Sequence, residues 1–258
     1  MTHSLTSRQQ AILSNVVETH IETAQPVGSR FMAERYRVSC SSATIRHEMG
    51  LLEEDGYLMH PHTSSGRVPT DLGYRYYVDH TMQEDDFPVD FFERVRADLE
   101  KASEQMEEPE RVAEEASRTL SALAREIGMV VFPDQGNRLR LYVQGSVTML
   151  DKPEFRDLDK LRNLLSAIES RQELMSWLQG KDGTHGTVSV FIGEENDHDA
   201  LRECSVICTP YGVDDTTIGT LAIVGPRRLR YSRMVPLAAR MAEIVGEVLD
   251  AGFLGDRS

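Results

Sequence analysis

Lysine is scarce in this sequence. Only Lys101, Lys152, Lys160 and Lys181 are present, and arginine supplies the rest of the 28 basic side chains. High genomic GC content and adaptation to salt would both produce that bias, and the acidic surplus leans toward salt. Cysteine is nearly as rare. Cys40 stands alone, while Cys204 and Cys208 lie four apart in a strand-like segment. An odd count without a CxxC pair argues against a disulfide framework and a zinc site, so all three read as packing residues or bystanders. No stretch reaches the roughly 18 to 20 apolar residues that span a bilayer. The opening MTHSLTSRQQ has neither the basic start nor the apolar run of a secretory signal, so the expected location is the cytoplasm.

The chemistry of an enzyme is missing too. There is no phosphate-binding Gly-rich loop, GxSxG elbow or HExxH pair. Carboxylates are plentiful but fall in solvated helical runs. Gly193-Glu194-Glu195-Asn196 comes nearest to a site and reads as a turn leaving a strand. His60 and His62 flank Pro61 at a spacing that suits a metal, yet no third ligand accompanies them. The expectation is therefore no enzyme, no cofactor and no metal.

What is abundant is acid, and it is unevenly placed. The net charge is -14, but residues 82–116 hold the densest runs, MQEDDF, DLEKASEQMEEPE and RVAEEA. The first 80 residues carry seven Arg against nine acidic residues, with six of the eight His. DNA affinity grows with the number of phosphates neutralised. A DNA-binding role for this near-neutral segment would rest on a few well-placed arginines.

Along the chain, Thr6-Ser7-Arg8-Gln9 is a capping box that opens an amphipathic helix over 7–23, with Leu13, Val16, Val17 and Ile21 at helical spacing. Gln25-Pro26-Val27-Gly28 breaks it, and a short helix follows at about 29–36. After a turn at 37–41, Ser41 or Ser42 caps a third helix that runs to Asp55 and stops at Gly56. Residues 57–69 read as two short strands joined by a polar loop with Gly66 at its tip, and Thr70-Asp71 opens a fourth helix. Three helices and a hairpin, in that order, are the order of a winged helix. Residues 90–126 form a charged helical stretch broken near Pro109. From 129 onward five strands follow, with a helical pair inserted at about 157–179 and a last helix at 232–250. The fold class is α+β. The divisions are 1–80, a helical linker at 81–127, and 128–258.

The third helix points to function. Ile45, Met49 and Leu52 form its core face, while Ala43, His47 and Gly50 lie opposite, flanked by Thr44 and Arg46. A recognition helix in a major groove needs polar donors near its N-terminus and small residues where backbone meets DNA. Ser41, Ser42 and Thr44 suit phosphates at the helix start. Arg46 suits the O6/N7 edge of guanine, and His47 suits a base edge. Arg67, beside Gly66 at the loop tip, would reach a minor groove or a flanking phosphate. Taken alone, the helix reads first as an ordinary one with a solvated face; the preceding turn and the following hairpin reverse that reading in favour of DNA.

These residues carry a resemblance. LTSRQQAIL, QPVGSRFMAERY, SSATIRHEM, LEEDGYLMHPHTSSGRVPT and GYRYYVDH together resemble the heat-inducible transcription repressor (HrcA) family. The likeness continues through LYVQGSVTMLDKPEF, VSVFIGEEN, CSVICTPYG and IGTLAIVGPRRLRYSRMVPL, so it spans nearly the whole chain. It implies a dimeric repressor of chaperone genes on an inverted-repeat operator, kept active by a GroEL-type chaperonin. It also implies a winged helix-turn-helix followed by a GAF-like domain with an inserted dimerising segment. Two departures stand out. The residues between Phe132 and Leu141 are fewer than the family pattern, and His47-Glu48 stands where Asn followed by an acidic or apolar residue is usual. The dimer contact is expected from 90–126 and 157–179, and the apolar stripe of the last helix from its own core. The competing readings are a ligand-responsive repressor, with a small-molecule site in the second half, and a winged helix used for protein contacts.

Overall fold

The computed structural model describes residues 5–36, 40–61, 66–88, 90–106, 109–133, 138–180, 187–213 and 216–251. The chain forms two compact units. One contains Met1–Gln83 and Arg227–Ser232, the other Glu84–Pro226 and Arg233–Ser258.

The first unit opens with α1 (Ser7–Thr23). Its capping box is formed as the sequence predicts. Thr6 accepts from the Gln9 amide at 3.3 Å, and the Gln9 side chain accepts from the Thr6 amide at 2.9 Å. The helix ends at Ala24, whose left-handed φ of 54° lets its N–H close on the His20 carbonyl. Then come α2 (Ser29–Arg35) and α3 (Ser42–Glu54). Gly56, at φ +82°, turns the chain out of α3 into β1 (Leu58–Met59), which pairs antiparallel with β2 (Val68–Pro69). Thr70 caps α4 (Asp71–Tyr76), which continues as a π turn over Tyr77–Thr81. Ile12, Leu13, Val16 and Val17 of α1 join Met32, Ile45, Met49, Leu52 and Tyr74 in one buried core. The segment 227–232 adds Tyr231, whose ring lies 6.0 Å from that of Tyr74, and Arg228, which donates to the Ile21 carbonyl.

The second unit is built on a five-stranded antiparallel sheet in the order β4-β3-β7-β6-β5. The strands are β3 (Ile127–Pro133), β4 (Leu139–Gln144), β5 (Ser189–Ile192), β6 (Cys204–Val213) and β7 (Thr216–Pro226). The helical stretch read as a linker, α5 (Phe91–Met106) and α6 (Pro109–Ala124), is counted in this unit rather than between the two. α6 lies directly on β3, because a Cβ on Gly128 would meet the Ser117 carbonyl at 2.5 Å. α9 (Tyr231–Leu249) buries Met234, Leu237, Met241, Ile244, Val245 and Val248, so its stripe serves core packing. The face carrying Met129, Val131, Val206, Cys208 and Val224 is covered by Leu161 and Leu164 of α7 (Leu158–Glu169) and by Leu174 and Leu178 of α8 (Arg171–Gln179). Strand alternation sends Gly128, Val130 and Phe132 to the opposite face. Pro133 pairs with Leu139, so five residues of sequence separate β3 from β4.

Asn196 explains the Gly193–Asn196 turn. It is fully buried, and its amide donates to the carbonyls of Gly193, Leu201 and Cys204 at 2.9, 3.1 and 3.2 Å. Cys204 and Cys208 are buried and reduced. Among the described residues no helix is long and apolar enough to cross a membrane, and no cluster of side chains has the make-up of a metal site.

Candidate nucleic-acid interface

α3 takes its position from its own residues. Ser41 in extended conformation accepts from the Thr44 amide at 3.2 Å, which satisfies one of the free donors of the first turn. Its hydroxyl also lies 3.0 Å from that of Thr44. One hydroxyl proton of the two is used in that contact, and the other remains available at the helix start. Ile45, Met49 and Leu52 are completely buried. Because they fill one side of the helix, Ser42, Ala43, Arg46 and His47 are left exposed on the other. Among the described residues neither Arg46 nor His47 has a hydrogen-bond or ion-pair partner. The structure therefore brings Ser41, Ser42, Thr44, Arg46 and His47 together on the first two turns of one helix, with donors facing outward.

Arg67 is placed differently from the sequence expectation. Gly66 and Arg67 lie at the base of the hairpin loop, not at its tip. The Arg67 backbone forms an antiparallel bridge with Val27, at 2.8 Å and 2.9 Å. Gly66 is required there, since a Cβ would meet the Val27 carbonyl at 2.3 Å. The Arg67 side chain is only 14% exposed and turns back to Glu53 of α3, with Nε and Nη2 at 3.1 and 3.0 Å from Oε2. Nη2 comes within 4.0 Å of the point where Gly50 would carry a Cβ. The Arg67 guanidinium thus passes beside the glycine read as a place of close DNA approach. Residues 62–65, including His62 and the rest of the loop, fall outside the described residues.

Glu53 was not singled out by sequence reasoning. Its other oxygen is 2.6 Å from His60 Nδ1. The hydrogen bond to His60 holds the Glu53 carboxyl below the usual carboxylate range, with burial opposing and Arg67 assisting. His60, considered as a metal ligand, is a partner of this carboxylate. Arg30, exposed on the first turn of α2, is a further cation without a partner among the described residues that the sequence reading passed over. Four further arginines of the unit are paired among the described residues: Arg8 with Glu48, Arg35 with Glu22, Arg75 with Asp79, and Arg227 with Asp71. Apart from Arg75–Asp79, an i,i+4 pair, no short sequence signal announces these pairs, because they join residues distant along the chain.

By fold, this is an α+β protein that adds a small helical unit with an exposed polar helix face to a sheet sealed by helices on both sides. A solved structure of a hypothetical protein has the same fold, with a TM-score of 0.77 at 19% identity over 96% of this chain and 100% of that chain. The sequence is more specific. Residues 92–235 match the HrcA protein C terminal domain. The heat-inducible transcription repressor HrcA of Symbiobacterium thermophilum is 31% identical over 93% of this chain and 98% of its own length. The protein of the same name from Shouchella clausii is 28% identical over 93% and 96%. The chain belongs to the HrcA family. The first of these alignments extends over 334 positions, more than the 258 residues here, so it crosses gaps in this chain.

Proposed function

We propose that the protein is a transcription repressor of heat-shock genes, and that it reads operator DNA through a winged helix-turn-helix made by α1, α2, α3 and the β1–β2 hairpin. The observation that carries this reading is the outer face of α3. A capped helix start with a spare hydroxyl donor, followed by exposed Arg46 and His47, offers phosphate and base-edge contacts in the order a major-groove helix uses them. Ser41, Ser42 and Thr44 take the phosphate, while Arg46 and His47 take the bases. The family's other members are named for heat-inducible repression.

The working form is a homodimer on an inverted repeat, in the cytoplasm, with a GAF-like second unit and a GroEL-type chaperonin as partner. Exposed Val147, Leu150 and Leu158, at and just before the start of α7, support a protein contact near the inserted helices. The test is fluorescence anisotropy on an inverted-repeat duplex and a scrambled one, over a salt series, with Arg46→Ala alongside. A preference of roughly a thousandfold or more that falls with salt and is lost in the variant supports the reading. Equal weak binding to both duplexes sinks it.

A second reading, control by a small molecule, draws on one observation. A cleft of about 520 Å³ runs along β4 between α6 and α8, lined by Arg140, Tyr142, Gln144, Arg171, Gln172 and Met175. Its size and its mixed lining suit a small ligand. A metabolite that shifts operator affinity in the purified protein would favour it.

A further inference from the structure

Five arginines of the first unit are cancelled in pairs among the described residues, and one pair differs from the rest. In Arg8–Glu48, Arg35–Glu22, Arg75–Asp79 and Arg227–Asp71 the arginine side chain is a quarter or more exposed. In the Arg67–Glu53 pair the arginine is 14% exposed, two of its nitrogens reach one carboxylate oxygen, and the other oxygen is held by His60. The guanidinium lies over Gly50, one turn beyond His47 on the outward stripe of α3.

A cation set on that face would strengthen binding to any DNA, since each neutralised phosphate adds affinity regardless of sequence. Here a carboxylate cancels it in place. The same carboxylate ties both strands of the hairpin to α3, because His60 follows β1 and Arg67 precedes β2. We propose that Glu53 is a specificity-determining residue: it withdraws Arg67 from non-specific phosphate binding and fixes the hairpin on α3, leaving discrimination to Arg46 and His47. This rests on the reading of α3 as a DNA-reading helix. A purely structural tie predicts that loss of Glu53 weakens binding everywhere. Charge cancellation predicts the opposite for unrelated DNA.

The experiment uses the full chain and two probes: a duplex enriched by the wild-type protein from a random-sequence pool, and a scrambled duplex of the same composition. Glu53→Gln, Arg67→Gln and the double variant are titrated over a salt series, with urea unfolding as a check on folding. Glu53→Gln is expected to bind the scrambled duplex about three- to tenfold more tightly at 0.1 M salt, with the log K against log salt slope steeper by about 0.9. Its preference for the enriched duplex falls by at least about threefold. Arg67→Gln weakens scrambled binding, and the double variant returns it to the wild-type level. Equal weakening of both duplexes by Glu53→Gln, or an unchanged slope, would overturn the proposal. Should Glu53→Gln fail to fold, failure of the double variant to restore what Arg67→Gln loses overturns it. If the wild-type chain enriches no sequence at all, it is the DNA-reading assignment that fails.

Discussion

In the second unit several polar side chains inside donate to backbone carbonyls. Asn196 holds three carbonyls, Ser121 donates to the Glu126 carbonyl, and Tyr211, fully buried, donates to that of Val131 at 2.8 Å. In the first unit, α3 leaves Arg46 and His47 outside its core with no partner among the described residues, above a core of Ile45, Met49 and Leu52. The contrast teaches where to look for each property. Groups consumed internally specify a fold, whereas groups supported by packing but left uncommitted are available to a partner.

Mutations should separate the two regions. The largest effect on stability is expected from Leu164→Ala, fully buried under the sheet of the second unit, at about 2–5 kcal/mol in urea unfolding. Arg46→Ala should leave the unfolding midpoint almost unchanged, yet cost about 1–3 kcal/mol in operator binding by anisotropy. If the two variants changed the same observable, the contrast would be broken. Ser41→Ala should blur it deliberately. Loss of the cap costs about 1 kcal/mol of stability and also lowers operator affinity, because one residue serves both ends.

The smallest effects are pH-dependent and confined to the first unit. Burial, with Glu22 adding to it, raises the Glu18 carboxyl above the usual range, against Tyr77 and Arg35. A raised folded-state value means stability that is full below the unfolded value and is lost as pH rises through the folded one. Glu18→Gln should therefore flatten the fall in urea midpoint on the alkaline side of the ordinary carboxylate range. Glu53 has the opposite sign. Its lowered value gives stability that is present above the unfolded value and is lost as pH falls through the folded one, and Glu53→Gln should remove that acid-side loss.

Local chemistry made much of this legible in the sequence. Thr6 with Gln9, Ser41 ahead of the third helix and Gly56 behind it set element bounds because a cap acts within three or four residues. The helical spacing of Ile45, Met49 and Leu52 assigned the buried side of α3, and with it the outward one. Arg67 was misjudged because its position depends on Val27, forty residues earlier, and its side chain depends on Glu53. Neither partner is visible from the loop's composition. Gly50 was assigned to the outward face, and Arg67 passes beside it there. Gly128 carried no signal at all: its need to be glycine comes from α6 lying on β3.

The first unit is not continuous in sequence, since it includes Arg227–Ser232. Arg227 pairs with Asp71, Arg228 reaches the end of α1 at Ile21, and Tyr231 packs on Tyr74. During synthesis the helices and hairpin of residues 1–83 leave the ribosome first, yet about 140 further residues must be translated before their last pieces arrive. A chain stopped before residue 227 lacks these three contacts to α1 and α4. Only a chain translated past residue 232 holds the whole unit, so α1 and α4 gain these contacts after every strand of the sheet has been made.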